Sequence, residues 1–342
     1  MGYRSSSEGR LVSEQAPTAI EIRLTPEDLR AQLRRDVEAG LTAQPKSIPS
    51  TWFYDEQGSL LFDEITRLEE YYQTRTERSL LRTHAKDIVA RSEATSLVEL
   101  GSGTCEKTRV LLDKMRDEAQ LEAIAAIDIS AEMLERSALE LAAEYPTAQV
   151  HGVVTDFDGA LAGLPTLPRR LVAFLGGTIG NLRPAERASF FTRLAEGLGA
   201  GDWFLLGCDL VKDTDRLIAA YDDAAGVTAA FNRNVLSVLN RELEATFDLE
   251  AFEHVALWNE EERWIEMRLR SLRDQDVSVA DLGLCLTFAE GEELRTEISA
   301  KFTRERVAAE LAAAGLSLAA WHTDPNEWFA LSLSSPSRRL AA

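Results

Sequence analysis

The chain has 342 residues, 45% of them hydrophobic and 27% charged, and its formal net charge is −20. The length allows two domains and the composition is typical of a globular protein, whereas the excess of acid disfavours nucleic acids and anionic membranes as partners, because both need basic surfaces. It has no apolar run of about 18 residues and no apolar segment behind the first Met, so we expect neither a transmembrane helix nor a secretory signal.

The first 75 residues divide into three stretches. Residues 1–24 are polar and rich in Ser and Glu, and we expect a disordered extension there. A Thr25-Pro26 start and helical spacing predict a helix through Gly40. The stretch 50–77 is dense in aromatic residues, which more often belong to the hydrophobic core than to a functional site.

From about residue 76 the chain alternates between strands and helices. This spacing is typical of parallel strands joined by helical crossovers, so it predicts a doubly wound α/β sheet. The predicted strands span 96–100, 123–128, 148–156, 170–181 and 202–210.

Residues 211–301 interrupt this alternation. A long helical stretch is followed by strand-like runs, an α+β texture, and the alternation resumes with a helix over 303–315 and two closing strands. We therefore expect two domains that are both discontinuous in sequence. The smaller comprises 25–75 and 211–301, and the sheet domain comprises 76–210 and 302–342.

The loop in "LVELGSGTCEKTRVLL" (97–112) is the first candidate binding element. It resembles both a dinucleotide fingerprint and a P-loop, but Glu106 replaces a required glycine in each. An acid in this turn would repel a pyrophosphate and tolerate a cation. The loop therefore suits the sulfonium of S-adenosylmethionine, with Gly101 allowing close approach and Lys107 pairing the cofactor carboxylate.

Acids at the ends of the next two strands support that cofactor. Asp128 can accept hydrogen bonds from ribose hydroxyls, and Asp156 can accept one from an adenine amine beside Phe157. NAD sites use the same acid on the ribose, and each acid alone can equally be a helix cap. Together with the glycine loop they favour S-adenosylmethionine over NAD.

The cysteines and histidines are few and far apart. Cys105, Cys208 and Cys285 lack metal-type spacing and the four histidines are dispersed, so we expect no metal site. Unclustered thiols are typical of a reducing compartment, and we expect a cytoplasmic monomer.

Several long motifs resemble one known family over nearly all of residues 30–335. They closely resemble those of the histidine Nα-trimethyltransferases of ergothioneine biosynthesis. The resemblance implies transfer of three methyl groups from S-adenosylmethionine to the α-amine of L-histidine, giving hercynine and S-adenosylhomocysteine. It also implies a Rossmann-like class I methyltransferase sheet with a discontinuous α+β substrate-binding domain. The motifs are "WFYDEQGSLLFDEITRLEEYY", "LVELGSGTCEKT", "FLGGTIGN", "DLVKD", "AYDDAAGVTAAFNRNVL" and "TEISAKF".

The resemblance also implies roles for individual residues. Tyr54 and Asn181 would act on the reacting amine. The cofactor would be bound by Tyr54, Gly101, Lys107, Asp128, Asp156 and Phe157. The histidine would be held by Tyr71, Gly176, Asn181, Tyr221, Met267, Glu297 and Ser299. Departures from the family pattern are Glu69 and Gln73 where prolines are expected, and Cys105 in place of serine.

The spacing of Glu297 and Ser299 also indicates a binding site. Two residues apart on a strand, they would share one face, where a carboxylate and a hydroxyl can bind the two imidazole nitrogens. Charge pairing with Glu297 would favour the imidazolium form.

Other functions remain open from the residues alone. An N-methyltransferase of another aromatic amino acid, such as tryptophan, is disfavoured by Glu297, since indole has one donor and no cation. A non-catalytic S-adenosylmethionine-binding regulator would need no second pocket with Tyr54, Asn181 and Tyr221. An ATP-binding enzyme is disfavoured by Glu106.

Overall fold

The computed structural model describes residues 18–337 of the chain. Within that part, a central sheet of eight strands is accompanied by two smaller antiparallel sheets. The strands are β1 (Thr18–Ile22), β2 (Ser96–Leu100), β3 (Ala123–Asp128), β4 (Gln149–Val154), β5 (Arg170–Phe174), β6 (Trp203–Asp209), β7 (Phe252–Asn259), β8 (Trp264–Ser271), β9 (Gln275–Val279), β10 (Leu284–Phe288), β11 (Glu293–Ala300), β12 (Leu316–Thr323) and β13 (Phe329–Pro336).

The helices of the described part pack on both faces of the central sheet and against the smaller sheets. No helix in residues 18–337 combines the length and apolarity needed to cross a bilayer. The α-helices are α1 (Pro26–Thr42), α2 (Glu56–Ile65), α3 (Tyr72–Ser92), α4 (Arg109–Asp117), α5 (Ala131–Glu144), α6 (Phe157–Ala162), α7 (Pro184–Gly197), α8 (Thr214–Ala219), α9 (Val227–Leu243) and α10 (Arg304–Ala313).

The central sheet has the order β1-β4-β3-β2-β5-β6-β13-β12. Strands β1 to β6 pair in parallel, and β13 pairs antiparallel with both β6 and β12. The predicted α/β class and the antiparallel closing strands are confirmed. Because the chain order reverses between β2 and β5, ligands are expected in the crevice at the carboxyl ends of these two strands.

Strand β1 corrects the expectation of a disordered extension over residues 1–24. Thr18–Ile22 pairs in parallel with β4 along the sheet edge, from Thr18 opposite Val150 to Ile22 opposite Val154. The edge of β4 offers backbone hydrogen-bond partners to this short β-prone segment. These hydrogen bonds stabilise a strand that the polar composition of the surrounding residues does not predict. Residues 1–17 lie outside the described part of the chain.

Two other predicted elements are divided in the structure. The helical stretch after residue 211 breaks into α8 and α9, with Gly226 at a φ of 75° immediately before α9. The last strand-like run of this region becomes β10 and β11, separated by Gly291 at a φ of 83°. Glycines at positive φ interrupt both elements, since this backbone conformation belongs to neither a helix nor a strand. The predicted fourth strand is also shorter, because β5 ends at Phe174 and a 3-10 turn follows over Thr178–Asn181.

The hydrophobic core consists of separate clusters. One lies on each face of the central sheet. The third joins side chains from α1, α2 and α9 to β7, β8 and β11, and so includes residues from both before and after the sheet strands. Residues far apart in sequence, before residue 73 and after 211, therefore pack into one body beside the crevice.

Candidate active site

The loop between β2 and α4 is bent by three residues at positive φ. These are Gly101 (67°), Gly103 (50°) and Cys105 (54°). A Cβ on Gly101 would lie 3.4 Å from the ring of Phe157. The first bend therefore presents bare backbone next to an aromatic ring, as a closely approaching ligand requires.

Asp128, at the end of β3, holds this loop in shape. Its two carboxylate oxygens accept hydrogen bonds from the backbone N–H of Gly103 (2.8 Å) and of Ser130 (3.0 Å). Ser130, not Asp128, is the N-cap of α5. Each carboxylate oxygen keeps a second lone pair, which leaves Asp128 able to accept from ribose hydroxyls.

Asp156 is the N-cap of α6, so the alternative of a helix cap is correct for this acid. Its Oδ1 accepts from the backbone N–H of Gly159 at 2.7 Å. The same side chain lines an open polar depression between α1 and α6, whose wall also includes Arg23, Asp28 and Arg35 but no residue of the glycine loop. Asp156 has an oxygen left for a ligand.

Lys107 is held by a buried carboxylate that the sequence analysis missed. Glu77 of α3 is fully buried, accepts from Lys107 Nζ at 2.6 Å, and accepts from the backbone N–H of Gly176 at 2.8 Å. A Cβ on Gly207 would lie 2.0 Å from Glu77 Oε1. Glu77 thus connects the glycine loop to the loop after β5, in a space that exists because residue 207 is glycine.

Two further acids lie at the glycine loop. Glu99, at the end of β2, is 4% exposed, and burial raises its pKa to about 7, although Thr108 and Lys107 oppose the rise. Glu106, which excluded the phosphate motifs, points outward to Arg78 at 2.8 Å. The acid environment of the crevice therefore comes from Glu77, Glu99 and Asp128 more than from Glu106.

On the other side of the crevice, four side chains form a buried group that we call the hydroxyl cluster: Tyr221, Ser299, Lys301 and Asp209. The two hydroxyls are 2.7 Å apart. Lys301 Nζ donates to Tyr221 (2.9 Å) and Ser299 (2.8 Å) and forms an ion pair with Asp209 (2.8 Å). Burial alone would lower the pKa of Lys301, but Asp209 and Tyr221 outweigh it and raise the pKa above its ordinary value. Lys301 is therefore a buried ammonium.

A second lysine reaches Asp209 from the opposite direction. Lys212 Nζ lies 2.5 Å from Asp209 and 2.6 Å from the hydroxyl of Tyr72, which itself donates to Asp209 at 2.8 Å. Burial lowers the pKa of Lys212 to about 8, although Asp209 opposes the change. The two lysines outweigh the effect of burial on Asp209 and hold its pKa below the ordinary value.

Glu297 and Ser299 lie two residues apart on β11, as predicted. Met267 of β8 is directly opposite Glu297 in the register of the two strands and is buried. Burial raises the pKa of Glu297 to about 7, against the lowering effects of Lys301 and of a hydrogen bond from Asn181. A carboxylate that titrates near neutrality therefore lies beside the hydroxyl cluster.

An aromatic row leads from this cluster to the surface. Tyr71 packs edge-on against Tyr221 (6.4 Å between ring centroids) and against Phe62 (6.1 Å), which packs edge-on against Tyr54 (5.5 Å). Tyr54 is 41% exposed. Tyr71 faces Tyr221, whereas the hydroxyl of the adjacent Tyr72 donates to Asp209.

The loop after β5 joins the two sides of the crevice. Gly176, at a φ of 84°, donates to Glu77 at one end of the loop, and Asn181 reaches Glu297 at the other. Between them, a Cβ on Gly180 would lie 2.8 Å from the carbonyl oxygen of Ala300. This close contact fixes β11, and with it Glu297 and Ser299, against the sheet.

The structure places most of the predicted residues in two groups and adds Glu77, Glu99, Asp209 and Lys301, which were missed. Gly101, Lys107, Asp128, Asp156 and Phe157 lie around the glycine loop, and most of the predicted substrate residues lie around the hydroxyl cluster. Tyr54, predicted for the cofactor, lies instead in the aromatic row, and Gly176, predicted for substrate, lies beside Lys107.

Asp209 could have been found, since it ends a strand as Asp128 does, and Gly207 inside that strand is a sign of close approach. Glu77 gave no signal. Glu99, Asp209, Lys212 and Lys301 stood in quoted motifs without a role.

Comparison with known proteins gives four consistent results. Residues 33–336 match the family described as "Histidine-specific methyltransferase, SAM-dependent". The chain is 59% identical to Histidine N-alpha-methyltransferase of Mycolicibacterium smegmatis over 302 residues, 88% of this chain and 94% of that one. It is 52% identical to the protein of the same name from Mycobacterium tuberculosis over 303 residues, 89% and 94% of the two chains. Identity to Ergothioneine biosynthesis protein 1 of Neurospora crassa is 31% over 211 residues, 60% of this chain and 24% of that one.

Proposed function

This chain belongs to the histidine-specific, S-adenosylmethionine-dependent methyltransferases, and from that premise we propose that it transfers three methyl groups in succession to the α-amine of L-histidine. The product is hercynine, an intermediate for ergothioneine, and S-adenosylhomocysteine is released. The central sheet is the Rossmann-like class I methyltransferase sheet. Residues 76–210 and 302–342 are the methyltransferase domain and residues 25–75 and 211–301 bind substrate, a division supported by the separate third core cluster.

One observation carries the choice of substrate. Glu297 and Ser299 share one strand, Ser299 is hydrogen-bonded to Tyr221, and the amide of Asn181 opposes the rise in the pKa of Glu297. An imidazole has two nitrogens and needs one partner for each, which this carboxylate and this hydroxyl supply. Met267, buried opposite Glu297, provides an apolar contact for the ring.

The glycine loop fits S-adenosylmethionine. Gly101 has no Cβ to obstruct the approach beside Phe157, Asp128 keeps lone pairs for ribose, and Asp156 keeps an acceptor oxygen for an adenine amine. Lys107, held by Glu77, is available to a carboxylate at the loop. When bound, S-adenosylmethionine supplies an electrophilic methyl group on a sulfonium sulfur.

The protein's part in the chemistry is positioning and control of one proton. An α-amine of pKa near 8 is largely protonated at neutral pH, so the amine must lose a proton before it can attack. Tyr54 and Asn181 are neutral groups that orient an amine without stabilising its ammonium form as a carboxylate would. Alignment of the amine with the methyl group then provides most of the rate acceleration. The proton leaves to water, because the site has no dedicated base among the proposed contacts.

The alternatives are less well supported. A tryptophan N-methyltransferase would bury an indole against Glu297, which would leave a carboxylate without a cationic or second donor partner. A non-catalytic regulator would have no use for the hydroxyl cluster beside the glycine loop. We further propose a monomer acting in the cytoplasm, a location supported by the unpaired thiols of Cys105, Cys208 and Cys285.

A direct assay tests the function. Purified protein is incubated with S-adenosylmethionine and each of the common amino acids, and products are analysed by mass spectrometry. We expect histidine to gain up to three methyl groups and tryptophan to gain none. Methylation of tryptophan in preference to histidine, or of no amino acid, would refute the proposal.

A further inference from the structure

Lys301 is enclosed by three oxygen partners. It is fully buried, and its ammonium donates to Tyr221 and Ser299 at 2.9 and 2.8 Å and forms an ion pair with Asp209 at 2.8 Å. An ammonium has three hydrogens and no acceptor. Lys301 therefore has nothing left to offer a substrate, and any influence it has on one must pass through the two hydroxyls.

The hydroxyls of Tyr221 and Ser299 are constrained by this arrangement. Together they have two hydrogens, and one of these lies in their mutual 2.7 Å bond. Both oxygens also accept a hydrogen from Lys301. With two lone pairs on each oxygen, one hydroxyl is left with a hydrogen to donate outward and the other with a lone pair to accept. The pair has two states, which differ in which hydroxyl donates.

We propose that Lys301, anchored on Asp209, is a positioning residue that couples the hydrogen bonds which Tyr221 and Ser299 make to the two ends of the histidine substrate. This inference rests on the proposed function. If Tyr221 contacts the amino-acid end and Ser299 the ring, then one hydroxyl must donate when the other accepts. Without the ammonium, each hydroxyl regains a lone pair. Donation by one hydroxyl then no longer requires acceptance by the other, and the coupling between the two ends of the substrate is lost.

The same count of hydrogens and lone pairs shows which of the two states of the hydroxyl pair suits the reacting amine. In the first two transfers, a neutral amine ready to attack donates an N–H and keeps its lone pair for the methyl group. When Tyr221 accepts that N–H, Ser299 must donate to a ring nitrogen, and Glu297 accepts from the other ring nitrogen. The site in this state selects a neutral imidazole in one tautomer, whereas charge pairing with Glu297 alone would favour the imidazolium. The dimethylated amine of the third transfer has no N–H, so this count applies to the first two transfers.

The chain provides a matched control for Lys301. Lys212 also has a buried side chain and also pairs with Asp209, but its other partners are Tyr72 and the carbonyl oxygen of Leu210, which have no proposed contact with substrate. Lys301→Met and Lys212→Met each remove one ammonium and each leave Asp209 with the other lysine. A general effect of losing a buried charge should appear in both variants. An effect through the hydroxyls should appear only in Lys301→Met.

We would measure steady-state kinetics for histidine, with binding of S-adenosylhomocysteine by calorimetry as the test of folding. We expect Lys301→Met to raise the KM for histidine about tenfold or more with a smaller change in kcat, and Lys212→Met to change it less than about threefold. Binding of S-adenosylhomocysteine should stay within about twofold of wild type in both. If Lys301→Met fails to bind it, Lys301→Gln replaces that variant in the same measurements.

A double-mutant cycle provides the second readout. If Lys301 acts through the hydroxyls, Lys301→Met should add less than about threefold to the KM of Ser299→Ala, because the pair is already broken. Equal effects of the two lysine variants, an unchanged KM in Lys301→Met or its replacement, or fully additive effects in the cycle would each overturn the inference. Absence of histidine methylation by the wild type would instead refute the proposed function, so the two failures are distinct.

Discussion

The glycine-loop half of the crevice and the hydroxyl cluster hold their polar groups by opposite means. At the glycine loop, carboxylates accept from backbone N–H groups: Asp128 from Gly103, and Glu77 from Gly176. In the hydroxyl cluster, an ammonium donates to side-chain oxygens, and Lys301 is the common donor. The first arrangement fixes the shape of the main chain, and the second fixes the direction of side-chain hydrogens.

This difference separates the expected effects of mutation. Loss of an acid at the glycine loop releases a backbone loop and should weaken cofactor binding and stability together. Loss of a group around the hydroxyl cluster leaves the backbone in place and should weaken recognition of the amino acid, with little effect on cofactor binding. The predictions below test that separation.

The largest effect is expected for Glu77→Gln. Its amide cannot balance the charge of Lys107, and a broken buried ion pair costs about 3 kcal/mol or more, roughly hundredfold in affinity. We expect the affinity for S-adenosylhomocysteine, measured by calorimetry, to fall by this roughly hundredfold factor and the unfolding temperature to fall as well. Glu144→Gln, which breaks the exposed pair with Arg109, is the control, with an expected cost below about 1 kcal/mol. Normal cofactor affinity in Glu77→Gln would contradict the role of this acid.

Glu297→Ala should give the second largest effect, and this effect should be on recognition of histidine beside the hydroxyl cluster. Loss of a hydrogen-bonded carboxylate partner costs about 2 kcal/mol, or roughly thirtyfold in the KM for histidine. Binding of S-adenosylhomocysteine should be unchanged. Glu293→Ala is the control, because Glu293 lies on the same strand but pairs with Arg268 and Arg270. An unchanged kcat/KM for histidine in Glu297→Ala would show that the substrate assignment is wrong.

The glycine loop and Asp128 could be located from the sequence because they follow from local patterns in the chain, and their roles stay a prediction. Strand β2, its glycine bend and Asp128 follow one another in the chain, and parallel strands bring their carboxyl ends to one edge whatever lies between them. The alternation of strands and helices identified the central sheet for the same reason. Glu297 and Ser299 were readable from a two-residue spacing, although their roles came from a family resemblance.

The groups that hold the site could not be predicted in the same way. Lys301 follows β11 and Asp209 ends β6, and Glu77 lies on a helix whose charged residues otherwise look solvated. A buried charge is recognised only when its partner is known, and these partners are 30 to 99 residues away in the chain. Strand β1 was missed because its stability comes from pairing with β4, which composition does not reveal.

Glu99 is the exception within the glycine-loop half, because its Oε2 has no hydrogen-bond partner in the described structure. Its pKa rises from the ordinary 4.5 to about 7 on folding, so between these pH values the folded state keeps a proton that the unfolded chain releases. The free energy of unfolding should therefore fall as pH rises through this window.

Glu99→Gln removes that pH dependence. Urea unfolding should show the variant about 2 kcal/mol more stable than wild type at pH 8, with little difference near pH 4.5. Glu122→Gln, exposed before β3, should differ from wild type by less than about 0.5 kcal/mol at both pH values. A Glu99→Gln variant destabilised at pH 8 would mean that this carboxylate anchors the loop as Asp128 and Glu77 do.

The smallest effect is expected for Asp156→Asn, which tests whether an acid of the glycine-loop half serves the ligand as well as the backbone. Asparagine is as good an N-cap as aspartate, so the bond to Gly159 should survive and the unfolding temperature should change little. The amide offers one acceptor oxygen where the carboxylate has two, so the adenine amine should lose its partner. We expect S-adenosylhomocysteine affinity to fall about fivefold, or about 1 kcal/mol. Asp158→Asn, on the same helix and paired with Arg193 at the surface, should change affinity less than about twofold. Equal affinities in the two variants would make Asp156 a helix cap alone, and cofactor contacts in this half would then reduce to Asp128, Lys107 and the loop backbone.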